Sequence, residues 1–168
     1  MPLPAAEAMQ HAPAAAAPAA AARHISTINP LTGLSTDYLN HFTEAVMVLE
    51  MAITMPECLD DLRSWRPKTY REHFATCRFA GRDAVITAYE SASPAVRDAL
   101  DGASETLNAV LLEARDTLLG QPAPMKPEVI AQRAVSLAKP LIAHAAAIIN
   151  GAGAIDGTQA SIDAVFAR

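Results

Sequence analysis

Apolar residues return at intervals of three and four through three long stretches of the chain, and no stretch alternates with a period of two. Leu39, Phe42, Val46, Leu49 and Ile53 form the first stripe. Val96, Leu100, Ala103, Leu107, Val110 and Ala114 form the second, and Ile130, Ala134, Leu137, Leu141, His144 and Ile148 the third. Such spacing collects side chains on one face of an α-helix, whereas a strand needs strict alternation. Framing residues agree. Ser35 or Thr36 can cap the first helix, Ser93-Pro94 joins an N-cap to a proline suited to the first helical position, and Pro127 starts the third. Gly120 and the glycine run after Asn150 act as stops. Helices are therefore predicted at 36–53, 94–119 and 127–149, the last kinked at Pro140.

Weaker patterns predict shorter helices. Pro56 precedes Cys58, Leu59 and Leu62 in a segment at 56–64. Pro67 precedes the stripe Tyr70, Phe74, Cys77 in a segment at 67–78, and Val85, Ile86 and Tyr89 mark one at 82–92. Ile162, Val165 and Phe166 mark a last helix at 158–167. The fold class is all-α, an irregular bundle of three long helices with shorter ones inserted, and near-3.5 spacing favours shallow crossing angles. Residues 1–24 are a Pro/Ala tract broken at Pro2, Pro4, Pro13 and Pro18, predicted to be a disordered tail. Asn29-Pro30 and Gly33 signal turns in an ordered lead-in, so a single helical domain is expected over 25–168.

Composition narrows the functional classes. The chain has 168 residues, 51% of them apolar, but 37 are alanine, which packs closely while burying little area per residue. A net charge of −5 argues against general nucleic-acid binding. Two cysteines, Cys58 and Cys77, do not make a disulfide framework in a domain this large. No apolar run approaches the roughly 20 residues that span a bilayer. The Ala tract lacks basic residues before Arg23 and has no signal-peptide hydrophobic region. The expectation is a cytoplasmic protein with no membrane partner.

Motifs for catalysis or cofactors fail on inspection. The run from Ala147 to Gly157 imitates a dinucleotide-binding glycine turn, but its spacing is too long and too little chain follows for a βαβ unit. It reads as helix termination. The Glu-x-x-His pairs of a di-iron bundle are absent: Tyr38, Tyr70 and Leu141 stand three residues before His41, His73 and His144. His73 and Cys77 share a helix face, a spacing compatible with a metal, but two ligands do not close a site. His144 is expected in the core or at an interface, hydrogen-bonded to a neighbour, and His41 with Glu44 on a solvated face. No cofactor or metal is expected.

The strongest signal is electrostatic. Residues 63–82 carry Arg63, Arg66, Lys68, Arg71, Arg78 and Arg82 against Glu72, a charge of +5, interleaved with Trp65, Tyr70, Phe74 and Phe79. Residues 37–61 carry Asp37, Glu44, Glu50, Glu57, Asp60 and Asp61 with no cation, a charge of −6. The two stretches could pair inside the monomer as surface ion pairs worth about 0–1 kcal/mol each. Otherwise Arg63, Trp65, Arg66, Lys68, Tyr70, Arg71 and Arg78 form a surface for a protein partner with an acidic face, since Trp, Tyr and Arg dominate interface hot spots. Single-stranded nucleic acid is a lesser fit. The leading expectation is a small regulatory or adaptor protein rather than an enzyme, with homodimerisation open. The alternative is a helical ligand-binding protein or enzyme. Its pocket would lie between helix 36–53 and segment 65–78, with His41, Glu44, Tyr70, Glu72 and His73 as polar groups.

Overall fold

The computed structural model describes residues 27–120 and 125–152. The predicted tail at 1–24 and the predicted helix at 158–167 lie outside these. Among the described residues there are six α-helices and no β-strand, so the fold is all-α. A 3-10 turn at Thr36–Leu39 leads into α1 at Asn40–Ala52. A second, at Pro56–Cys58, leads into α2 at Leu59–Ser64. Then follow α3 at Tyr70–Thr76, α4 at Arg82–Ser91, α5 at Pro94–Leu119 and α6 at Pro127–Ile149.

The two longest helices start and stop where their punctuation places them. Ser93 caps α5, its Oγ accepting from the Val96 amide at 3.3 Å, with Pro94 first in the helix. α6 ends at the glycine read as a terminator. Gly151 has φ +85°, the Ala152 amide donates to the Ala147 carbonyl at 2.8 Å, and the Gly151 amide donates to Ile148 at 3.0 Å. These two bonds are the Schellman closure, which needs a left-handed residue. α6 runs without a break through Pro140. The carbonyl of Ser136 loses its helical donor there, but both residues are exposed, so the lost bond lies on the solvent side of the helix.

α5 and α6 pack along each other as an antiparallel hairpin, and α6 packs also on α1. Their shared core includes Leu49, Leu107, Leu111, Ala138, Ile148 and Ile149, all fully buried or nearly so. The buried face of α6 centres on Ala131, Ala134, Ala138, Leu141 and Ala145. Leu137 and His144 sit at its margin, half-buried, so the expected core position of His144 is corrected. The stripe was drawn through the larger side chains, while close packing selected the alanines beside them.

The lead-in is ordered from Thr27 as a tight loop closed by the Asn29 amide donating to the Leu34 carbonyl at 2.8 Å. Thr32 is buried and its hydroxyl donates to the last-turn carbonyl of Ile149 at 2.6 Å, satisfying one of the orphan acceptors of α6. Gly33 allows this approach. Its φ is +74°, and a Cβ there would stand 3.0 Å from the Ala88 carbonyl oxygen. Among the described residues no helix is long and apolar enough to cross a membrane.

Candidate functional site

The segment from α2 to α4 holds most of the aromatic side chains, and the fold turns all of them inward except Phe79, which is exposed. Trp65 is 7% exposed, lies stacked on His41 with ring centroids 5.1 Å apart, and donates its Nε1–H to the His41 carbonyl at 3.1 Å. Tyr70 is 1% exposed, stacks on Tyr89 at 4.6 Å, and accepts the Ser35 amide on its hydroxyl at 2.8 Å. Both were expected on a partner surface; both are core. The reason is geometric. α2 and α3 have six and seven residues, so each offers one or two inward positions: Leu62 in α2, followed by Trp65 just past its end, and Tyr70 and Phe74 in α3, large side chains that each bury much area.

α3 begins three residues after the proline expected to open it. Thr69 accepts the Glu72 amide on Oγ1 at 3.3 Å while Glu72 Oε2 accepts the Thr69 amide at 2.9 Å. This capping box, written in the sequence as Thr69-x-x-Glu72, outweighs Pro67, which stays in an extended strap between α2 and α3. The Thr69 amide and, at 3.0 Å, the Thr69 hydroxyl both donate to Glu72 Oε2 and hold its carboxyl below its ordinary pKa.

With the rings withdrawn, the cations remain outside. Arg63, Arg66, Arg71 and Arg78 are exposed and Lys68 is half-buried. Only one ion pair joins the basic and acidic stretches among the described residues, the exposed Arg63–Asp60 contact at 2.9 Å. Glu50 instead meets Lys139 of α6 at 2.6 Å, and Arg71 meets Glu90 of α4 at 3.0 Å. Arg66, Lys68 and Arg78 meet no carboxylate within 4 Å among the described residues.

One arrangement was not legible in the sequence. The Nη1 groups of Arg66 and Arg115 both donate to the Trp65 carbonyl, at 2.8 and 3.1 Å. Arg66 Nη1 also donates to the Arg63 carbonyl. Arg115 comes from α5, fifty residues away, with a side chain only 15% exposed and paired to Asp116 at 2.7 Å. Two guanidinium groups are thus gathered at one carbonyl oxygen, whose backbone is pinned from behind by the buried indole.

The alternative pocket does not assemble as expected. His41 and His73 do converge, their imidazoles 6.0 Å apart, whereas Tyr70 stacks on Tyr89. Yet His41 stacks on Trp65 and meets Phe42 edge-on, while His73 meets Phe74 and Tyr38 edge-on. Glu44 and Glu72 are exposed instead. His41 is buried at 5% exposure, correcting the solvated face assigned to it. α2 and the strap cover it, and no local periodicity announces a neighbour supplied from another element. Burial, then the nearby Lys68 and His73, push its pKa from 6.5 down to about 4, and its Nε2 has no partner. Burial, then Lys68, also lowers His73. His73 Nε2 lies 3.8 Å from Cys77 Sγ, but among the described residues no three His, Cys, Asp or Glu side chains are grouped to hold a metal.

A cavity of about 300 Å³ opens elsewhere, on the other side of Tyr38 and Thr69. Tyr89 of α4 and Asp101, Ser104, Glu105 and Asn108 of α5 complete its polar wall, with Arg71 at its rim. Spacings of three, four and seven from Asp101 put those α5 residues on one face, a polar stripe beside the apolar one, and that was the missed signal. Burial raises the Tyr38 and Tyr89 phenols to about 12, so both stay protonated at neutral pH.

Compared with protein-family models, curated proteins and solved structures, the chain matches none.

Proposed function

We propose that this is a small regulatory or adaptor protein that binds a protein partner with an acidic surface through the basic face around Arg66. The observation that carries the reading is the convergence of Arg66 and Arg115 on the Trp65 carbonyl. A guanidinium already oriented by the protein loses little freedom when its remaining N–H groups engage a carboxylate. Arg66 keeps its Nε and Nη2 donors for such a fork. Arg63, Lys68, Arg71 and Arg78 extend the positive field along the strap and α3. Trp65 and Tyr70 support that face from within rather than touching the partner.

The reading is tested with immobilised poly-glutamate as a minimal acidic partner and a single-stranded oligothymidylate as its competitor. The protein is expected to bind poly-glutamate, more weakly as salt rises, because exposed charges are screened within about 10 Å at 0.1 M. Arg66→Glu combined with Arg78→Glu is expected to weaken binding at least tenfold with unchanged helicity. Equal binding by this variant, or preference for the oligonucleotide, overturns the reading.

A further inference from the structure

The cavity beside Tyr38 is lined mainly by oxygen-bearing side chains; Arg71 and Asn108 are the lining residues that carry N–H donors. Four hydroxyl groups line it, and each directs its proton to a protein oxygen. Tyr38 donates to the Lys68 carbonyl at 2.8 Å, Thr69 to Glu72 Oε2 at 3.0 Å, and Ser104 to the Leu100 carbonyl at 2.8 Å. Tyr89 donates to both carboxylate oxygens of Asp101 at 3.0 and 3.1 Å. What faces the space is therefore lone pairs, together with two carboxylates on successive turns of α5, Asp101 and Glu105. Asn108 also lines the cavity; its Oδ1 is itself buried and has no partner among the described residues, a state that ordinarily costs about 1–3 kcal/mol.

Two cations stand beside the cavity. Arg71 at the rim is paired with Glu90 at 3.0 Å. Arg97 lies over the Tyr89 ring, 5.9 Å from its centroid, and among the described residues meets no carboxylate within 4 Å. Among the described residues Glu105 forms no ion pair within the same distance. From these facts we propose that the cavity between Tyr38, Tyr89 and the Asp101–Asn108 face of α5 is a binding site for a small organic ammonium ion. A primary ammonium carries a positive charge and three N–H donors, which complement the hydroxyl lone pairs and the two carboxylates of the wall. A bare metal ion fits less well. Hard cations gather oxygens at about 2.3–2.6 Å, and the roughly 300 Å³ of space lies at the small end of organic ligand sites.

The experiment is calorimetric titration of the full chain with butylamine and with 1,4-diaminobutane. Succinate serves as a probe of similar length and opposite charge, and calcium chloride as the metal probe. One amine bound per chain, with no heat from succinate or calcium, is expected. Asp101→Asn keeps an oxygen for the Tyr89 hydroxyl and removes the charge; Glu105→Gln removes the exposed charge without touching a buried contact. Each is expected to weaken amine binding at least tenfold, and Glu105→Gln decides the matter should Asp101→Asn not fold. Absence of heat with both amines, unchanged affinity in the folded variants, or binding of calcium or succinate in place of the amine overturns the proposal.

Discussion

The indole of Trp65 lies on the imidazole of His41, 18° from parallel, and one hydrogen bond ties its ring nitrogen to the backbone of the same residue. This contact joins the strap after α2 to the first turn of α1. It also holds the carbonyl on which Arg66 and Arg115 meet. A residue type associated with interfaces is here the foundation of the charged face above it.

Trp65→Ala is accordingly expected to destabilise the protein by about 3–5 kcal/mol, the range for removing a buried large ring. Urea denaturation followed by circular dichroism reads the change. A loss below about 1 kcal/mol would place the indole at the surface.

His41 makes stability depend on pH. Its pKa is about 4 in the folded chain against 6.5 for the ordinary side chain, so the unfolded chain binds the proton first as pH falls. Stability is full above about pH 6.5, declines between 6.5 and 4, and levels off below, with His73 adding to the same slope. The total from His41 is on the order of 3 kcal/mol. His41→Phe retains a ring for Trp65 and removes both the titration and the unpartnered Nε2. Urea midpoints at pH 7, 5.5 and 4.5 should therefore change less in this variant than in the parent; an identical profile would place the titration elsewhere.

Three glycine-to-alanine changes should differ in sign. Gly33→Ala meets both a left-handed backbone and the Ala88 carbonyl at 3.0 Å, and a cost of about 2–3 kcal/mol is expected. Gly151→Ala suffers the backbone strain alone, since its nearest atom is at 3.8 Å, and about 1 kcal/mol is expected. Gly102 lies within α5 with nothing within 4 Å of a new Cβ, so alanine there should stabilise by about 0.5–1 kcal/mol. Melting temperatures in the order Gly102→Ala, parent, Gly151→Ala, Gly33→Ala check the series.

The basic face should separate binding from folding. Arg66→Glu and Arg78→Glu alter exposed side chains and are expected to shift stability by no more than about 0.5 kcal/mol each. Arg115→Glu is different, because its side chain is largely covered and the new carboxylate would face the Trp65 carbonyl. A markedly larger loss of stability is expected there. Equal tolerance of all three reversals in thermal unfolding would show that the Arg115 contact holds nothing in place.

Local sequence carried the helices. Ser93-Pro94 and Pro127 marked starts that the structure keeps to the residue, and Gly151 ends α6 as its position implied. These outcomes depend on φ, ψ and hydrogen bonds within one turn, which neighbouring residues determine. The α3 boundary was also present in the chain, as Thr69-x-x-Glu72, but Pro67 was the louder signal.

What no local pattern could decide was which polar and aromatic groups would lose their water. The inward turn of Trp65 and Tyr70, the burial of His41, the meeting of Arg66 with Arg115 and the cavity beside Asp101 all join residues distant in sequence. Periodicity reports which face of a helix is apolar. It is silent on what covers a residue at the edge of that face, because the cover comes from another element and depends on how the short helices α2 to α4 settle against α1 and α5. Charge totals for 63–82 and 37–61 had the same limit: they count ionised groups, while only the packed chain decides which partner each one meets.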